Sequence, residues 1–126
     1  RKKGNLPCRK KTAPHLRQTY QLLSVVGGYG LVRIFTSSAA PWDLPRQLWR
    51  IGHPVLGDES FGDRRTNTFL VETCGLHRMC LHLHRVTIQT TGGGTVRVCM
   101  PLPADLRLVI RRLKRLRRQE ANRAEE

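Results

Sequence analysis

Two kinds of apolar spacing alternate along the chain and predict its elements. Stretches rich in apolar and β-branched residues at 18–26 and 31–35, separated by a glycine-rich turn at 27–30, predict a β-hairpin. A second hairpin is predicted from a long alternating strand at 78–88, a Thr/Gly-rich break and a returning strand at 96–100. Spacings of three and four residues elsewhere predict two helices.

Each predicted helix has an apolar face. The first, at 44–51, has Asp43 as N-cap, tolerates Pro45 in its first turn and ends at Gly52. Its apolar face consists of Leu44, Leu48 and Ile51. The second follows Pro103, and its stripe, which we expect to dock on the sheet, consists of Leu106, Val109, Ile110, Leu113 and Leu116. The predicted fold class is therefore α+β: an antiparallel sheet of hairpins with a short helix and a basic C-terminal helix.

The remaining segments lack a clear period. Residues 52–63 have glycine or proline every few positions, which predicts an irregular but ordered loop, and 64–68 is predicted to be a polar surface excursion. The length suits one domain. We expect a basic extended arm at 1–14, one folded domain at 15–118 and a frayed tail at 119–126.

Charge narrows the choice of partner. The chain has 23 Lys and Arg against 9 Asp and Glu, a formal net charge of +14, and the basic residues concentrate near both ends. This favours a polyanionic partner, nucleic acid first, over the ordinary alternative of solvated basic segments. The candidate RNA-binding residues are Lys2, Lys3, Arg9, Lys10, Lys11, Arg46, Arg50, Arg111, Lys114, Arg115 and Arg118. No run of about 18 apolar residues occurs, so neither a membrane span nor a membrane partner is predicted.

Residues that could support metal or nucleophile chemistry do not form a recognisable site. Cys74, His77, Cys80, His82 and His84 have ligand atoms suited to zinc. However, same-side neighbours on the predicted strand lie about 6.6–7 Å apart, too far to share one ion, so we expect no metal. No nucleophile elbow or other recognisable motif surrounds the cysteines, Ser60 or the histidines, so we expect no catalytic residue and no cofactor. The four cysteines are expected to be free thiols in a reducing compartment. For Trp42 and Trp49, stacking on bases and packing in the core both stay open.

Three stretches resemble RluA-type RNA pseudouridine synthases in order and spacing. The loop at 52–63, Gly-His-Pro-Val-Leu-Gly-Asp-Glu-Ser-Phe-Gly-Asp, looks like the Gly-His-Pro signature of that family. Leu-His-Arg-Met-Cys-Leu-His at 76–82 is similar to a family strand, with His82 as the family histidine. Met-Pro-Leu-Pro-Ala-Asp-Leu at 100–106 resembles the entry to the last family helix. The resemblance implies that the chain is the C-terminal part of a pseudouridine synthase-like fold, with structural motif residues Gly52, His53, Pro54, Gly57, Asp58 and His82.

The same resemblance implies that the chemistry is incomplete in this chain. The family's catalytic aspartate lies in an Arg-Leu-Asp motif upstream of every matching stretch, and none of Asp43, Asp58, Asp63 and Asp105 takes its place. The family arginine that pairs with that aspartate falls on Pro45, with Arg46 one position further on.

Two explanations for the missing catalytic residues stay open, and a third candidate function is protein binding. The chain is either a degenerate relative that binds rRNA in ribosome assembly or as a ribosome-associated factor, or the C-terminal fragment of a synthase active on rRNA or tRNA. The third candidate is a protein-interaction module that uses the apolar stripe. The expected partners are RNA, rRNA before tRNA, and ribosomal or assembly-factor proteins. The expected location is intracellular and reducing, with the mitochondrion or another organelle as candidates.

Overall fold

The computed structural model describes residues 18–36 and 43–125. The elements in chain order are β1 (Gln18–Val26), β2 (Tyr29–Thr36), α1 (Leu44–Arg50), α2 (Arg64–Cys74), β3 (Arg85–Gln89), β4 (Thr95–Cys99) and α3 (Ala104–Glu125). The predicted α+β class is confirmed. Over the described ranges the strands form two separate two-stranded antiparallel sheets, hairpin 1 (β1 and β2) and hairpin 2 (β3 and β4), instead of one sheet.

Hairpin 1 has a shorter turn than the sequence predicts. Tyr29 and Gly30 already pair with Val26 and Val25, so only Gly27 and Gly28 form the turn. A register shift between Leu22 and Ser24 places a bulge in β1. The turn end of the hairpin enters the core, because Val26 is buried there.

The long strand predicted at 78–88 is wrong over its first half, since β3 begins only at Arg85. The alternating segment before it is held by other contacts. Cys80 N donates to Leu56 O at 2.8 Å, and Arg78 donates through Nε and Nη2 to the carbonyl oxygens of Met79 and Leu81, both at 3.3 Å. Because these bonds fold the segment against the 52–63 loop and onto itself, its alternation does not reflect pairing with a strand.

Helix α1 lies where the sequence predicts it, with two corrections. Asp43 has helical dihedrals and its side chain makes no cap bond; instead Gln47 Nε2 donates to Asp43 Oδ2 at 2.8 Å. Ile51 follows the last helical residue and is 46% exposed, so it does not belong to the buried face. The helix ends in a Schellman motif, in which His53 N donates to Leu48 O and Gly52, with φ +82°, donates to Trp49 O.

Helix α2 was not predicted, and the surface excursion predicted at 64–68 is its first half. Asp63 starts the helix, because its Oδ1 accepts from Arg65 N at 3.1 Å and its Oδ2 accepts from Thr66 Oγ1 at 2.9 Å. Arg64, Arg65 and Thr68 of the first turns are exposed, whereas Asn67 is partly buried. Leu70 and Cys74, fully buried, are the helix's contribution to the core.

The core lies where α2 and α3 pack together beside the end of β1. It consists of the buried residues Val26, Leu70, Cys74, Leu76, Val109 and Leu113. The predicted stripe of α3 is confirmed as a core-facing stripe, with Ile110 and Leu116 partly buried against it. The stripe packs on α2 as well as on β1, so the sheet that the prediction gave as its partner is one of two. Helix α3 continues to Glu125, through most of the segment that we expected to fray.

Hairpin 2 is amphipathic and little buried. Its register places Val86 opposite Val98 and Ile88 opposite Val96 on one face, while Arg85 and the polar residues occupy the other face. Every residue of β4 is exposed. Over the ranges described, no helix combines the length and the apolar character needed to cross a membrane.

Candidate nucleic-acid interface

Five basic side chains of α3 form one exposed surface, which we call the α3 basic face. It consists of Arg107, Arg111, Lys114, Arg115 and Arg118. At 3.6 residues per turn, these positions fall within an arc of about 100°, on the side away from the buried stripe. All five are exposed, and in the part of the chain that the structure describes none of them forms an ion pair. No acidic residue lies between Arg107 and Arg118 in the sequence.

Arg112 lies on α3 between basic-face residues but has a different environment. Its Nη1 donates to Cys74 O at 2.8 Å, which satisfies a carbonyl at the C-terminal end of α2. The contact joins α2 to α3 and keeps this guanidinium off the basic face. Sequence reasoning did not find this role; the one available signal is that Arg112 borders the apolar stripe on the helical wheel.

The other predicted RNA-binding residues are distributed unevenly. Arg46 and Arg50 are both exposed on α1. Lys2, Lys3, Arg9, Lys10 and Lys11 lie outside the described residues, as does Trp42. Trp49 is half exposed and its ring centroid is 5.6 Å from that of Phe61, so part of its surface packs on a neighbouring aromatic side chain.

The Gly-His-Pro loop is fixed by a small hydrogen-bond network around Asn67. Asn67 Oδ1 accepts from Gly57 N, and Asn67 Nδ2 donates to Asp58 O, both at 2.9 Å. Asp58 is 2% exposed, and its Oδ1 accepts from Ser60 N at 2.9 Å. Asp58 Oδ2 is buried without a hydrogen-bond partner among the described residues. Asn67 is a positioning residue that the sequence reasoning missed, because it lies in the segment expected to be a surface excursion.

Gly57 explains how this loop meets the segment that contains His82. Its φ is +79°, and a Cβ placed on it would collide with Arg78 O and lie 3.2 Å from Met79 Cα. Only glycine allows the two backbones to approach so closely. Together with the bond from Cys80 N to Leu56 O, this contact brings the two family-like stretches side by side. Of the remaining motif residues, Gly52 and His53 are exposed, whereas Pro54 is partly buried.

Two histidines converge on one backbone carbonyl. His82 Nε2 and His84 Nδ1 lie 3.0 and 2.9 Å from Met100 O, and Met100 N donates to His84 O at 2.7 Å. Each ring can therefore donate a proton to that oxygen, which gives both side chains a structural partner. Arg78 and Asp105 form an exposed ion pair at 3.3 Å nearby. Across residues 18–36 and 43–125, no group of three or more His, Cys, Asp and Glu side chains is placed to hold a metal ion.

The titratable groups with a resolved shift are not activated for nucleophilic chemistry. Burial raises the pKa of the Cys80 thiol, an effect that Arg78 opposes and Asp105 reinforces. Burial also raises the pKa of Tyr29, with smaller contributions of the same sign from Cys74, Asp63 and Glu120. A thiol with a raised pKa is a poorer nucleophile at neutral pH because less of it is thiolate. The basic surface is thus the most distinctive chemical feature of the described residues.

Comparison with known proteins identifies relatives of the chain. No protein-family model matches it. An uncharacterized RNA pseudouridine synthase from Chloroflexus aurantiacus is 31% identical over 98 residues, which are 78% of this chain and 29% of that protein. A tRNA pseudouridine synthase C from Pasteurella multocida is 34% identical over 58 residues, 46% of this chain and 24% of that protein. An uncharacterized RNA pseudouridine synthase from Chlorobaculum parvum is 25% identical, with 88% of this chain and 37% of that protein covered.

The alignments define how far the relationship extends. The chain spans between 24 and 37% of the length of these three curated relatives. All three have names that specify pseudouridine synthesis in RNA, the family indicated by the motifs at 52–63, 76–82 and 100–106. The chain is therefore a homologue of the RNA pseudouridine synthases over part of their length, and the resemblance predicted from its motifs is confirmed.

Proposed function

We propose that the chain is an RNA-binding, catalytically degenerate member of the pseudouridine synthase-like proteins, which holds rRNA in ribosome assembly or as a ribosome-associated factor. The observation that carries the proposal is the α3 basic face, five exposed cations without ion-pair partners among the described residues. Unpaired cations on a rigid helix suit contacts to phosphate oxygens, because their charge is not already neutralised by the protein.

The dimensions of the basic face fit a nucleic-acid backbone. From Arg107 to Arg118 the helix rises about 16 Å, at 1.5 Å per residue. A duplex of that length presents about nine phosphates at one charge per 1.7 Å, more than five cations can neutralise. Each exposed guanidinium or ammonium group can therefore meet a phosphate without sharing it.

The degenerate state is supported by the position that corresponds to the family arginine. That position is Pro45, which is buried in the first turn of α1 and has no side-chain donor. Arg46, the next residue, is exposed and belongs to the helix surface. The site thus lacks a guanidinium at the place where the family resemblance requires one to pair with a catalytic carboxylate.

A second candidate, the C-terminal part of an active synthase, is favoured by the extent of the alignments. The relatives are roughly three to four times as long as the segment that aligns with this chain, and their names describe synthases. The third candidate, a protein-binding module that uses the apolar stripe, loses its basis. Leu106, Val109 and Leu113 are buried in the core and are not available to a partner.

RNA binding is tested by fluorescence anisotropy with an rRNA fragment at fixed salt. The double variant Arg111→Gln, Arg115→Gln should weaken binding at least about tenfold, since each lost charged contact removes roughly 1 kcal/mol or more. The matched control is Arg33→Gln together with Arg64→Gln, which removes two exposed charges from β2 and α2. Equal effects of the two pairs would contradict a specific role for the basic face.

Activity is tested on the product of the full reading frame that contains this chain. That product is incubated with rRNA and tRNA transcripts, and pseudouridine is measured by nucleoside mass spectrometry. The proposal expects no isomerisation. Isomerisation that survives Arg46→Ala would establish the active synthase in its place.

A further inference from the structure

A groove at the edge of the α3 basic face, with which it shares Lys114 and Arg118, lies between the turn of hairpin 1 and the C-terminal half of α3. Its volume is about 310 Å³. It is lined by Val25, Val26, Gly27, Lys114, Arg117, Arg118 and Ala121. This groove belongs neither to the Gly-His-Pro loop nor to the segment around His82, and Arg117 was not among the predicted RNA-binding residues.

The groove exists because the hairpin turn lies directly on the helix backbone. A Cβ placed on Gly27 would lie 3.1 Å from both the Cβ and the carbonyl oxygen of Leu113. One placed on Gly28 would lie 3.9 Å from Arg117 Nη1. Beyond Leu113 the helix continues to Glu125, and its residues 114–121 line a recess beside the hairpin turn.

The two walls of the recess differ in chemistry. Lys114, Arg117 and Arg118 form a cationic wall on α3, and no acidic side chain lines the groove among the residues described. Val25, Val26 and Ala121 supply apolar surface, and Val25 is 60% exposed although it lies beside the core. Cations next to exposed apolar surface match a ligand that has a phosphate joined to a less polar ring.

We propose that this groove seats one nucleotide of a single-stranded RNA segment, with its phosphate on the cationic wall and its ribose or base against Val25. The inference rests on the proposed RNA binding and extends it to a second, strand-selective contact. The groove is open to solvent on one side, and at about 310 Å³ it has room for one nucleotide. A duplex cannot use the apolar wall in this way because its bases are stacked and paired, whereas a single strand can turn one nucleotide out.

The test compares two RNA probes on the full chain by fluorescence anisotropy. The probes are a short oligouridylate and a duplex RNA of similar charge, and the groove variants are Arg117→Ala and Val25→Ser, the second of which removes apolar surface without adding a charge. Each should weaken oligouridylate binding about fivefold or more and duplex binding less than about twofold, because only the single strand loses a groove contact. Arg117→Lys, which retains the charge, should recover most of the loss. Thermal unfolding of each variant checks that the fold is retained.

The outer-face variant Arg107→Ala, Arg111→Ala distinguishes the two proposals. If it weakens both probes while the groove variants bind oligouridylate like the wild type, the groove proposal is wrong and RNA binding by the basic face stands. Equal weakening of both probes by Arg117→Ala would also overturn the groove proposal, because Arg117 would then be one more phosphate contact. If neither set changes either affinity, both proposals fail. Photo-crosslinks from 4-thiouridine in the oligouridylate to residues 25–28 or 114–121 would support the groove directly.

Discussion

Single residues fix the family-like loop, and the contrast between two glycines shows how. Gly52 and Gly57 both have a positive φ, of +82° and +79°. A Cβ added to Gly52 would meet no heavy atom within 4 Å beyond its chain neighbours, whereas a Cβ on Gly57 would collide with Arg78 O. The first glycine thus meets a conformational requirement alone, and the second also permits a close backbone approach.

We predict that Gly57→Ala destabilises the chain by about 3 kcal/mol or more, since it adds a backbone clash to the αL penalty. Gly52→Ala, the matched control, should cost only about 1–2 kcal/mol, the αL penalty alone. Urea denaturation followed by circular dichroism measures both values. Similar losses in the two variants would contradict the close approach at Gly57.

Arg111 and Arg112, which are adjacent on α3, are expected to contribute to different properties, RNA binding and stability respectively. We predict that Arg112→Ala lowers the free energy of unfolding by about 1–3 kcal/mol, because it leaves the half-buried Cys74 carbonyl without its donor. Arg111→Ala should change stability by less than about 0.5 kcal/mol, because Arg111 is exposed. Urea denaturation gives the stabilities and RNA anisotropy the affinities. For RNA affinity the expected order is the opposite: Arg111→Ala should weaken binding more than Arg112→Ala. A larger loss of stability in Arg111→Ala than in Arg112→Ala would contradict the structural role of Arg112.

At the scale of elements, helices and strands with a clear apolar pattern were predictable from the sequence. Segments held by hydrogen bonds to loops, or with a small buried face, were not. Hairpin 1, α1 and the α3 stripe follow from the apolar pattern: the stripe lies in the core, α1 buries Leu44 and Leu48, and hairpin 1 enters the core with Val26. Helix α2 was missed because its first turns are polar, and its buried residues are Leu70 and Cys74 alone. The strand assigned to 78–84 was wrong because alternation gives no information about whether a partner strand exists. There, the loop carbonyl of Leu56 takes the bond that a partner strand would have made.

For the candidate site, the residue types were predictable from the sequence but their contacts in space were not. The charges of the α3 basic face and the motif at 52–63 are visible in the sequence. The roles of Arg112 and Asn67 depend on which elements meet in space, as does the recess at Arg117. Arg112 and Cys74, for example, are 38 positions apart, and only the packing of α2 on α3 brings them together.

At the scale of the whole molecule, the core and the charge lie on opposite sides of α3. The stripe holds α2 and the end of β1, while the outer side of the helix faces away from them. Five of the 23 Lys and Arg side chains are therefore presented together on a helix that packs against the core. This arrangement predicts an affinity that depends mainly on counterion release.

We predict that log Kd for rRNA changes steeply with log salt concentration. If six phosphates are contacted, the slope of log binding constant against log salt is about −5 for duplex RNA and about −4 for a single strand. Anisotropy titrations between low and physiological salt measure it, and the variant Arg111→Gln, Arg115→Gln should make the slope shallower by nearly two. A slope near zero in the unmodified chain would contradict an electrostatic interface.

The junction between Leu56 and Cys80 has one further consequence. Its hydrogen bond, with the tight approach at Gly57, ties two points of the backbone together and makes the intervening chain, α2 included, depart from and return to a single place. The Gly-His-Pro loop and the His82 segment are therefore joined by backbone contacts at this junction. Displacing either segment alone breaks the hydrogen bond between Cys80 N and Leu56 O, although the whole of α2 separates the two segments in the sequence.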